Sequence, residues 1–272
     1  MELAGKVIVV TGGGSGIGAA MCRRFAAESP AAIVVADLDG PRAGTVADEV
    51  RRAAPDGTAV RARAIDVADE AQVGALVAET HLDHGTVDLF CANAGIGTGA
   101  GVEASDALWE QIWHVNVMAH VYAARALLPT WLERGHGYLL TTASAAGLLT
   151  NLGDAPYTAT KHAAVGLAEW LSITYGDRGV TVSCLCPQGV RTPLLFGGPD
   201  APTDGTLATD VVKAQRILEP EEVAEAVVAG LRTEELLILP HAEVADYERA
   251  RAGDRERWLA GMRRLQARVT GG

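Results

Sequence analysis

Seven short runs rich in Val, Ile, Leu and Ala recur along the chain: Lys6–Val10, Ala32–Ala36, Ala59–Ile65, Val87–Cys91, Gly137–Thr142, Val180–Leu185 and Leu236–Leu239. The apolar positions in these runs are largely continuous, the pattern of strands covered on both faces of a parallel sheet. Helical stripes lie between them. Asp69 precedes Val73, Leu76 and Val77, and Ser105 precedes Leu108, Ile112 and Val115. Pro220, Glu221 and Glu222 open a segment with Val223, Val227 and Leu231 on one side. Polar or Pro starts of this kind mark helix N-termini. Strand–helix alternation implies βαβ crossovers and a doubly wound α/β sheet. No repeat or linker divides the chain, so a single domain is expected. The stretch Gly197–Gly205 is the most loop-like and falls where a lid or binding loop fits.

Composition narrows the class. The chain has 272 residues, with 23 Lys and Arg against 34 Asp and Glu, a net charge of −11. That balance argues against a nucleic-acid partner and against attraction to anionic lipid. The four cysteines, Cys22, Cys91, Cys184 and Cys186, form no C-x-x-C pair and read as small buried residues in a reducing compartment. His81 and His84 flank Asp83 without a metal-binding pattern and read as a solvated loop, so no metal is expected. The apolar run Val7–Val10 is too short for a signal peptide, and no stretch reaches the roughly 18 apolar residues of a membrane span. The expectation is a cytoplasmic protein without a membrane partner.

The first strand runs into Thr11-Gly12-Gly13-Gly14-Ser15-Gly16-Ile17-Gly18, after which a helix begins. Glycines let a backbone turn tightly and approach a ligand, and the helix that follows offers free N–H groups to a pyrophosphate. The second strand ends at Asp37, about 20 residues beyond the turn, where an acid binds an adenosine ribose. A carboxylate there repels a 2′-phosphate, so NAD is expected over NADP.

Pro156-Tyr157-Thr158-Ala159-Thr160-Lys161 carries a second signal. Pro156 suits a first helical turn, and residues four apart then share a face. A phenol with a pKa near ~10 is a poor base at neutral pH, and bringing it to 7 takes roughly 4 kcal/mol. An ammonium about 4 Å away supplies roughly that at an effective dielectric near 20. On this reasoning Lys161, helped by an oxidised nicotinamide, makes Tyr157 a general base.

With these residues the chain resembles the short-chain dehydrogenase/reductase family over roughly residues 4–240. Thr11-Gly12-x-x-x-Gly16-x-Gly18 is similar to the family's cofactor turn, and Tyr157 with Lys161 to its Y-x-x-x-K pair. Asn93-Ala94-Gly95 resembles its N-A-G motif, and Asp66-Val67 its adenine contact. The resemblance implies a single-domain Rossmann fold with a doubly wound seven-stranded parallel sheet flanked by helices. Residues 1–240 would be the dinucleotide-binding and catalytic domain and residues 241–272 a C-terminal helical extension of it. The catalytic set implied is Asn116, Ser144, Tyr157 and Lys161, with Asn116 holding a relay water and Ser144 polarising the substrate oxygen. Thr141 and Thr142 compete with Ser144 at the same strand end, and Asn116 also reads as a solvated helix residue. The implied NAD site comprises Gly12, Ser15, Gly16, Ile17, Gly18, Asp37, Leu38, Asp66, Val67, Asn93, Ala94, Gly95, Tyr157, Lys161, Pro187, Gly189, Val190 and Thr192. Ser144, Tyr157, Gln188 and Leu194 would meet the substrate.

Gln188 is a departure. The family reads Pro-Gly-x-Val-x-Thr after its sixth strand, and this chain reads Pro187-Gln188-Gly189-Val190-Arg191-Thr192. The side chain either narrows the pocket or hydrogen-bonds the substrate, unless Gly189 absorbs the turn and Gln188 points away. Leu194-Leu195-Phe196 suggests an apolar start to a lid, or packing on the domain's own helices. In the Arg-rich tail, Trp258, Met262, Leu265 and Val269 share one stripe. A subunit contact or core docking fits that stripe; closing a neighbouring subunit's site or lying on a membrane are alternatives. The function expected is hydride transfer between NAD and a lipophilic secondary alcohol or ketone, in a homo-oligomer (a tetramer or dimer). The rivals are a non-catalytic NAD-binding redox-sensing or interaction module, and a dehydratase or epimerase on the same fold.

Overall fold

The structure is a computed structural model that describes residues 1–197, 206–213 and 215–271. In chain order the first half runs β1 (Val7–Thr11), α1 (Gly16–Ala26), β2 (Ala32–Asp37), α2 (Gly40–Ala53), β3 (Ala59–Ala64), α3 (Glu70–His84), β4 (Leu89–Ala92) and α4 (Asp106–Trp113). A π turn (His114–Met118) joins α4 to α5 (Ala119–Arg134). Then follow β5 (Gly137–Thr142), α6 (Ala155–Tyr175), β6 (Val180–Leu185), β7 (Gly189–Val190) and α7 (Pro193–Phe196). The chain ends with α8 (Leu207–Lys213), β8 (Ile217–Leu218), α9 (Pro220–Thr233), β9 (Leu237–Ile238), α10 (Glu243–Gly253) and α11 (Arg255–Val269).

Seven strands pair in parallel in the order β3-β2-β1-β4-β5-β6-β9. Both sheet faces are covered, which is why the strands read as unbroken apolar runs. In β1, Val7 and Val9 enter the core shared with α3, α5 and α6, while Ile8 and Val10 enter the core shared with α1, α2 and α9. The chain lays down strands to one side of β1 and then returns to build the other side from β4. This reversal opens a crevice at the carboxyl ends of β1 and β4, the place where open α/β sheets bind ligands.

Several local details follow from the sequence. Asp69 and Ser105 cap α3 and α4 by accepting first-turn N–H groups. Glu219 and Glu222 form a reciprocal capping box on α9. All four cysteines are free and buried. Among the described residues no helix is long and apolar enough to cross a membrane, and no cluster of His, Cys, Asp and Glu has metal-site geometry.

Three expectations change, and a fourth is not tested. His81 and His84 sit in the last turn of α3, where cations complement the helix dipole, and not in a loop. The pair β7–β8 adds a small second parallel sheet beside the main one. The tail is two helices, broken at Asp254, whose side chain caps α11 through the Arg257 N–H. Of the loop Gly197–Gly205, only Gly197 falls among the described residues, so the proposed lid lies outside them.

One buried contact ties α5 to the sheet. The Trp131 indole is 1% exposed and its Nε1–H donates to the Val87 carbonyl at 2.7 Å. Trp131→Phe keeps most of the apolar volume and orphans that carbonyl. The expected cost is about 1–3 kcal/mol, which lowers Tm by several degrees at roughly 2–4 °C per kcal/mol. Thermal unfolding of the variant checks this; an unchanged Tm would show that the bond contributes nothing.

Candidate active site

A cleft of about 1020 Å³ opens at the carboxyl ends of β1 and β4. Its floor is pinned by one threonine. Thr11 Oγ1 accepts the N–H groups of Asn93 and Ala94 at 3.0 and 3.2 Å, and Asn93 Nδ2 donates to the Thr11 carbonyl at 3.0 Å. These bonds hold the glycine turn after β1 against the segment after β4. The turn itself depends on missing side chains. Gly12 has φ +64°, and a Cβ on Gly18 would lie 2.1 Å from the Gly12 carbonyl oxygen. The helix α1 can therefore start directly behind the turn and aim its free N–H groups into the cleft. Ser15, at the N-cap of α1, makes no side-chain bond into the helix, so its hydroxyl remains available to a ligand.

At the end of β2, Asp37 Oδ2 accepts the Gly14 N–H at 2.8 Å and Oδ1 accepts the Asp39 N–H at 3.0 Å. Leu38 beside it is 73% exposed and offers a flat apolar surface. Arg42 also lines this end of the cleft, ion-paired to Asp39 at 3.1 Å. Strand-end reasoning about Asp37 misses this cation, because α2 folds it back; the Asp39-x-x-Arg42 spacing at the start of α2 is the signal that marks it. After β3, Asp66 and Val67 line the same end, with Asp66 Oδ1 accepting from the Ala68 N–H at 2.9 Å.

The other end gathers Ser144, Tyr157 and Lys161. Ser144 follows β5; its hydroxyl accepts the Ala146 N–H at 3.1 Å and donates to the Pro187 carbonyl at 3.3 Å. Thr141 and Thr142 are spent elsewhere: Thr141 Oγ1 donates to Ser183, and Thr142 Oγ1 to Asn93. Asp154 caps α6 by accepting the Tyr157 N–H at 3.0 Å. The same buried carboxylate accepts Thr98 N, Thr98 Oγ1 and Gly99 N at 2.8, 2.6 and 2.8 Å. Asp154 thus clamps the loop after β4 to the helix that carries Tyr157. Nothing in the sequence reading singled it out, although Asp three residues before Tyr157 is a capping signature.

Lys161 stands on the same face of α6 as Tyr157. Its Nζ donates to the Thr142 carbonyl at 2.9 Å and lies 5.4 Å from the centre of the Tyr157 ring. The electrostatics differ from the sequence argument. Burial pushes the Tyr157 hydroxyl up to about 12, opposed by its hydrogen bond with Ser144. Burial also brings Lys161 down to about 8. The ammonium sits over the ring face with its bond directed at Thr142, so desolvation of the phenolate dominates. Lys161 alone does not make Tyr157 a neutral-pH base.

Asn116 belongs to the π turn and is fully buried. Its Oδ1 accepts the Ile96 N–H at 2.9 Å, and Nδ2 donates to the Ile96 carbonyl and to Thr160 Oγ1 at 2.9 and 3.2 Å. The side chain is therefore committed to the protein. Close by, a Cβ on Gly95 would lie 3.2 Å from Asn116 Oδ1 and 3.3 Å from Lys161 Nζ. His120, one turn along, is fully buried, with at most a marginal hydrogen bond to the Ala92 backbone. Burial, and next the charge of Lys161, hold it down at about 3, so it is neutral.

Nearly all the residues singled out in the sequence line this one cleft: Gly12, Ser15, Gly16, Ile17, Asp37, Leu38, Asp66, Val67, Asn93, Ala94, Gly95, Ser144, Tyr157, Lys161, Pro187, Gln188, Val190, Thr192 and Leu194. Gly18, Asn116 and Gly189 stand one layer behind. The stripe Trp258, Met262, Leu265 and Val269 of α11 lines the cleft of its own chain, beside Tyr247 of α10. In the single chain the stripe thus faces its own domain, as the docking alternative had it.

Comparison with known proteins agrees with this geometry. The sequence pattern of the short chain dehydrogenases matches residues 6–197. The chain is 39% identical over 206 residues to 1-deoxy-11-beta-hydroxypentalenate dehydrogenase of Streptomyces exfoliatus, covering 72% of each. It is 34% identical over 245 residues to meso-2,3-butanediol dehydrogenase of Serratia marcescens, covering 90% of this chain and 94% of the relative. The crystal structure of a short chain dehydrogenase/reductase from Burkholderia phymatum in complex with NAD superposes with a TM-score of 0.82 at 32% identity, covering 94% and 96% of the two chains.

The ionisation of Tyr157 is directly measurable. In the cofactor-free protein, the tyrosinate absorbance that distinguishes wild type from Tyr157→Phe is expected to stay flat with rising pH until the ordinary phenol range near ~10 has been passed. A step near neutral pH, absent from Tyr157→Phe, would show that Lys161 lowers the phenol without help.

Proposed function

The chain belongs to the short-chain dehydrogenase/reductase family, and from that premise we propose that it is an NAD-dependent oxidoreductase acting on a lipophilic secondary alcohol or the corresponding ketone. The observation that carries the reading is the convergence of Ser144, Tyr157 and Lys161 at one end of a cleft whose other end is a glycine turn and Asp37. The residues present fit a dinucleotide. The turn has no side chains where a pyrophosphate would press, and the N-terminus of α1 faces it. Gly12, Ser15, Gly16 and Ile17 would hold the phosphates, with Gly18 allowing the close helix approach. Asp37 and Leu38 would take the adenosine ribose, and Asp66 and Val67 the adenine. Asn93, Ala94 and Gly95 would line the middle, and Pro187, Gly189, Val190 and Thr192 the carboxamide end. When bound, the nicotinamide supplies the carbon that accepts or gives the hydride.

The chain's own groups do the rest. Ser144 holds the substrate oxygen, oriented by the Ala146 N–H and the Pro187 carbonyl. Tyr157 takes the hydroxyl proton during oxidation and returns it during reduction. With its hydroxyl at about 12 in the bare cleft, Tyr157 needs more positive charge than Lys161 supplies, and the oxidised ring is the natural source. Lys161, anchored on Thr142, positions the nicotinamide ribose. Asn116 fixes the loop at Ile96 through its side-chain amide. Leu194, Gln188 and the α11 stripe surround the substrate, which accounts for a lipophilic preference. Trp170 and Ile173, 54% and 84% exposed on α6, supply an apolar surface for a homo-oligomer.

Purified protein is expected to reduce NAD with secondary alcohols. Tyr157→Phe should lower kcat by about 10²–10⁴-fold, the usual contribution of general acid–base catalysis. NAD should be favoured over NADP, and Asp37→Ser should narrow that preference by roughly tenfold or more, since like-charge contact costs several kcal/mol. Coupled absorbance assays check both. Full turnover in Tyr157→Phe, or equal kcat/KM with both cofactors in wild type, would refute the corresponding part.

A further inference from the structure

Gln188 departs from the family's glycine, and the structure fixes which way its amide faces. The orientation can be traced from a group with no choice. The Val211 carbonyl can only accept, so the Gln215 group 3.2 Å from it is the donor Nε2. Gln215 therefore turns Oε1 towards Gln188, and Gln188 must donate to it through Nε2. What remains is Gln188 Oε1, an acceptor without a bonding partner among the described residues, on a half-buried side chain that lines the cleft. The backbone beneath is held as well. The Gln188 N–H donates to Nδ1 of His241, a fully buried imidazole, at 3.2 Å.

This acceptor lies at the reacting end. Pro187, the residue before it, presents its carbonyl to Ser144 Oγ at 3.3 Å and to the Ala145 N–H at 2.8 Å. The apolar side chains of Val211, Val212, Leu194 and Trp258 line the same cleft. A half-buried acceptor in such a cleft favours a donor and disfavours plain hydrocarbon. A charged ammonium does not fit. Among the described residues, the carboxylates lining the cleft are Asp37 and Asp39 after β2, Asp66 after β3, and Asp154, whose oxygens already take four N–H and O–H groups. The matching donor is a neutral hydroxyl.

We infer that Gln188 is a specificity-determining residue that accepts a hydrogen bond from a second hydroxyl of the substrate, one or two carbons from the carbon being oxidised. The preferred substrates are then diols, or the derived hydroxyketones, on an apolar ring or chain. The inference rests on the oxidoreductase reading above and deepens it. The chemistry of the step is unchanged: the carbinol C–H bond breaks with hydride going to nicotinamide, the O–H proton goes to Tyr157, and a C=O forms. The second hydroxyl keeps its bonds and serves only to orient.

The test compares substrates on one preparation of the full chain with NAD: cis-indane-1,2-diol and cis-indane-1,3-diol against indan-1-ol. Wild type is expected to favour at least one diol by roughly tenfold or more in kcat/KM, mainly through a lower KM. In Gln188→Leu, similar in size but without the acceptor, the diol-to-monool ratio should fall to within about threefold of one. A loss of folded enzyme lowers both rates together and leaves the ratio alone, so the ratio reports on the contact. A wild-type ratio near one, or a preference that survives in Gln188→Leu, would overturn the role of Gln188 while leaving the reaction class intact. No NADH from any of the three alcohols would count against the oxidoreductase reading itself.

Discussion

Where β1 and β4 diverge, the cleft depends on Thr11 and Asn93 being bonded across the gap. Both faces of the sheet are otherwise covered by apolar side chains, and a parallel sheet leaves its polar backbone free only at the strand ends. The Thr11 hydroxyl takes up two of those free N–H groups, and Asn93 returns a bond to the Thr11 carbonyl. The glycine turn, the start of α1 and the loop after β4 then hold a fixed relation. Asp154 extends the same loop to the head of α6, and Asn116 ties it to the π turn. Each tie uses a buried polar side chain to satisfy backbone groups that would otherwise be orphaned. The chemistry-bearing residues can therefore sit on loops and still keep their distances.

The second constraint is electrostatic, and it works against the resting site. A phenol and an ammonium are placed in a protein interior where neither charge is favoured, so their pKa values move towards each other from 10 and 10.5, and past, to about 12 and about 8. At neutral pH the phenol therefore keeps its proton, while Lys161 remains mostly charged. A phenol in this setting loses its proton more readily once a further positive charge enters beside it. The neutral, buried His120 fits the same picture, because a second cation near Lys161 would raise the cost of keeping the lysine charged.

The strands and the cofactor half of the cleft were legible in the sequence because each rests on a local rule. Continuous apolar runs mark buried strands, and a glycine turn followed by Asp37 at the next strand end marks the ligand crevice. Helix starts at Asp69 and Ser105 were equally readable from capping residues. The substrate half was not. Gln215 faces Gln188 across 27 positions, and His241 reaches the same turn from 53 positions away. No periodicity encodes such encounters; they are set by how β7–β8 and α10 pack. The tail shows the limit most clearly. Its stripe was visible in the spacing of Trp258, Met262, Leu265 and Val269, but spacing identifies a face without saying what that face meets. Likewise, the i to i+4 relation of Tyr157 and Lys161 put both on one side of α6, while the direction of Nζ towards Thr142 depended on β5.

This division has a physical logic. A dinucleotide presents the same phosphates and sugars whatever the substrate, so its half of the cleft can be built from backbone N–H groups and short motifs at the sheet's edge. The opposite wall of the cleft comes from segments late in the chain: the turn at Gln188, the helix α8, and α11. None of the α11 side chains is fully buried, so the arm gains little stability from the core and owes its position to a few contacts, such as the Tyr247 and Trp258 rings 6.3 Å apart. A wall held that loosely can change its residues without disturbing the sheet. Within that wall Gln188 is oriented through Gln215 by the Val211 carbonyl.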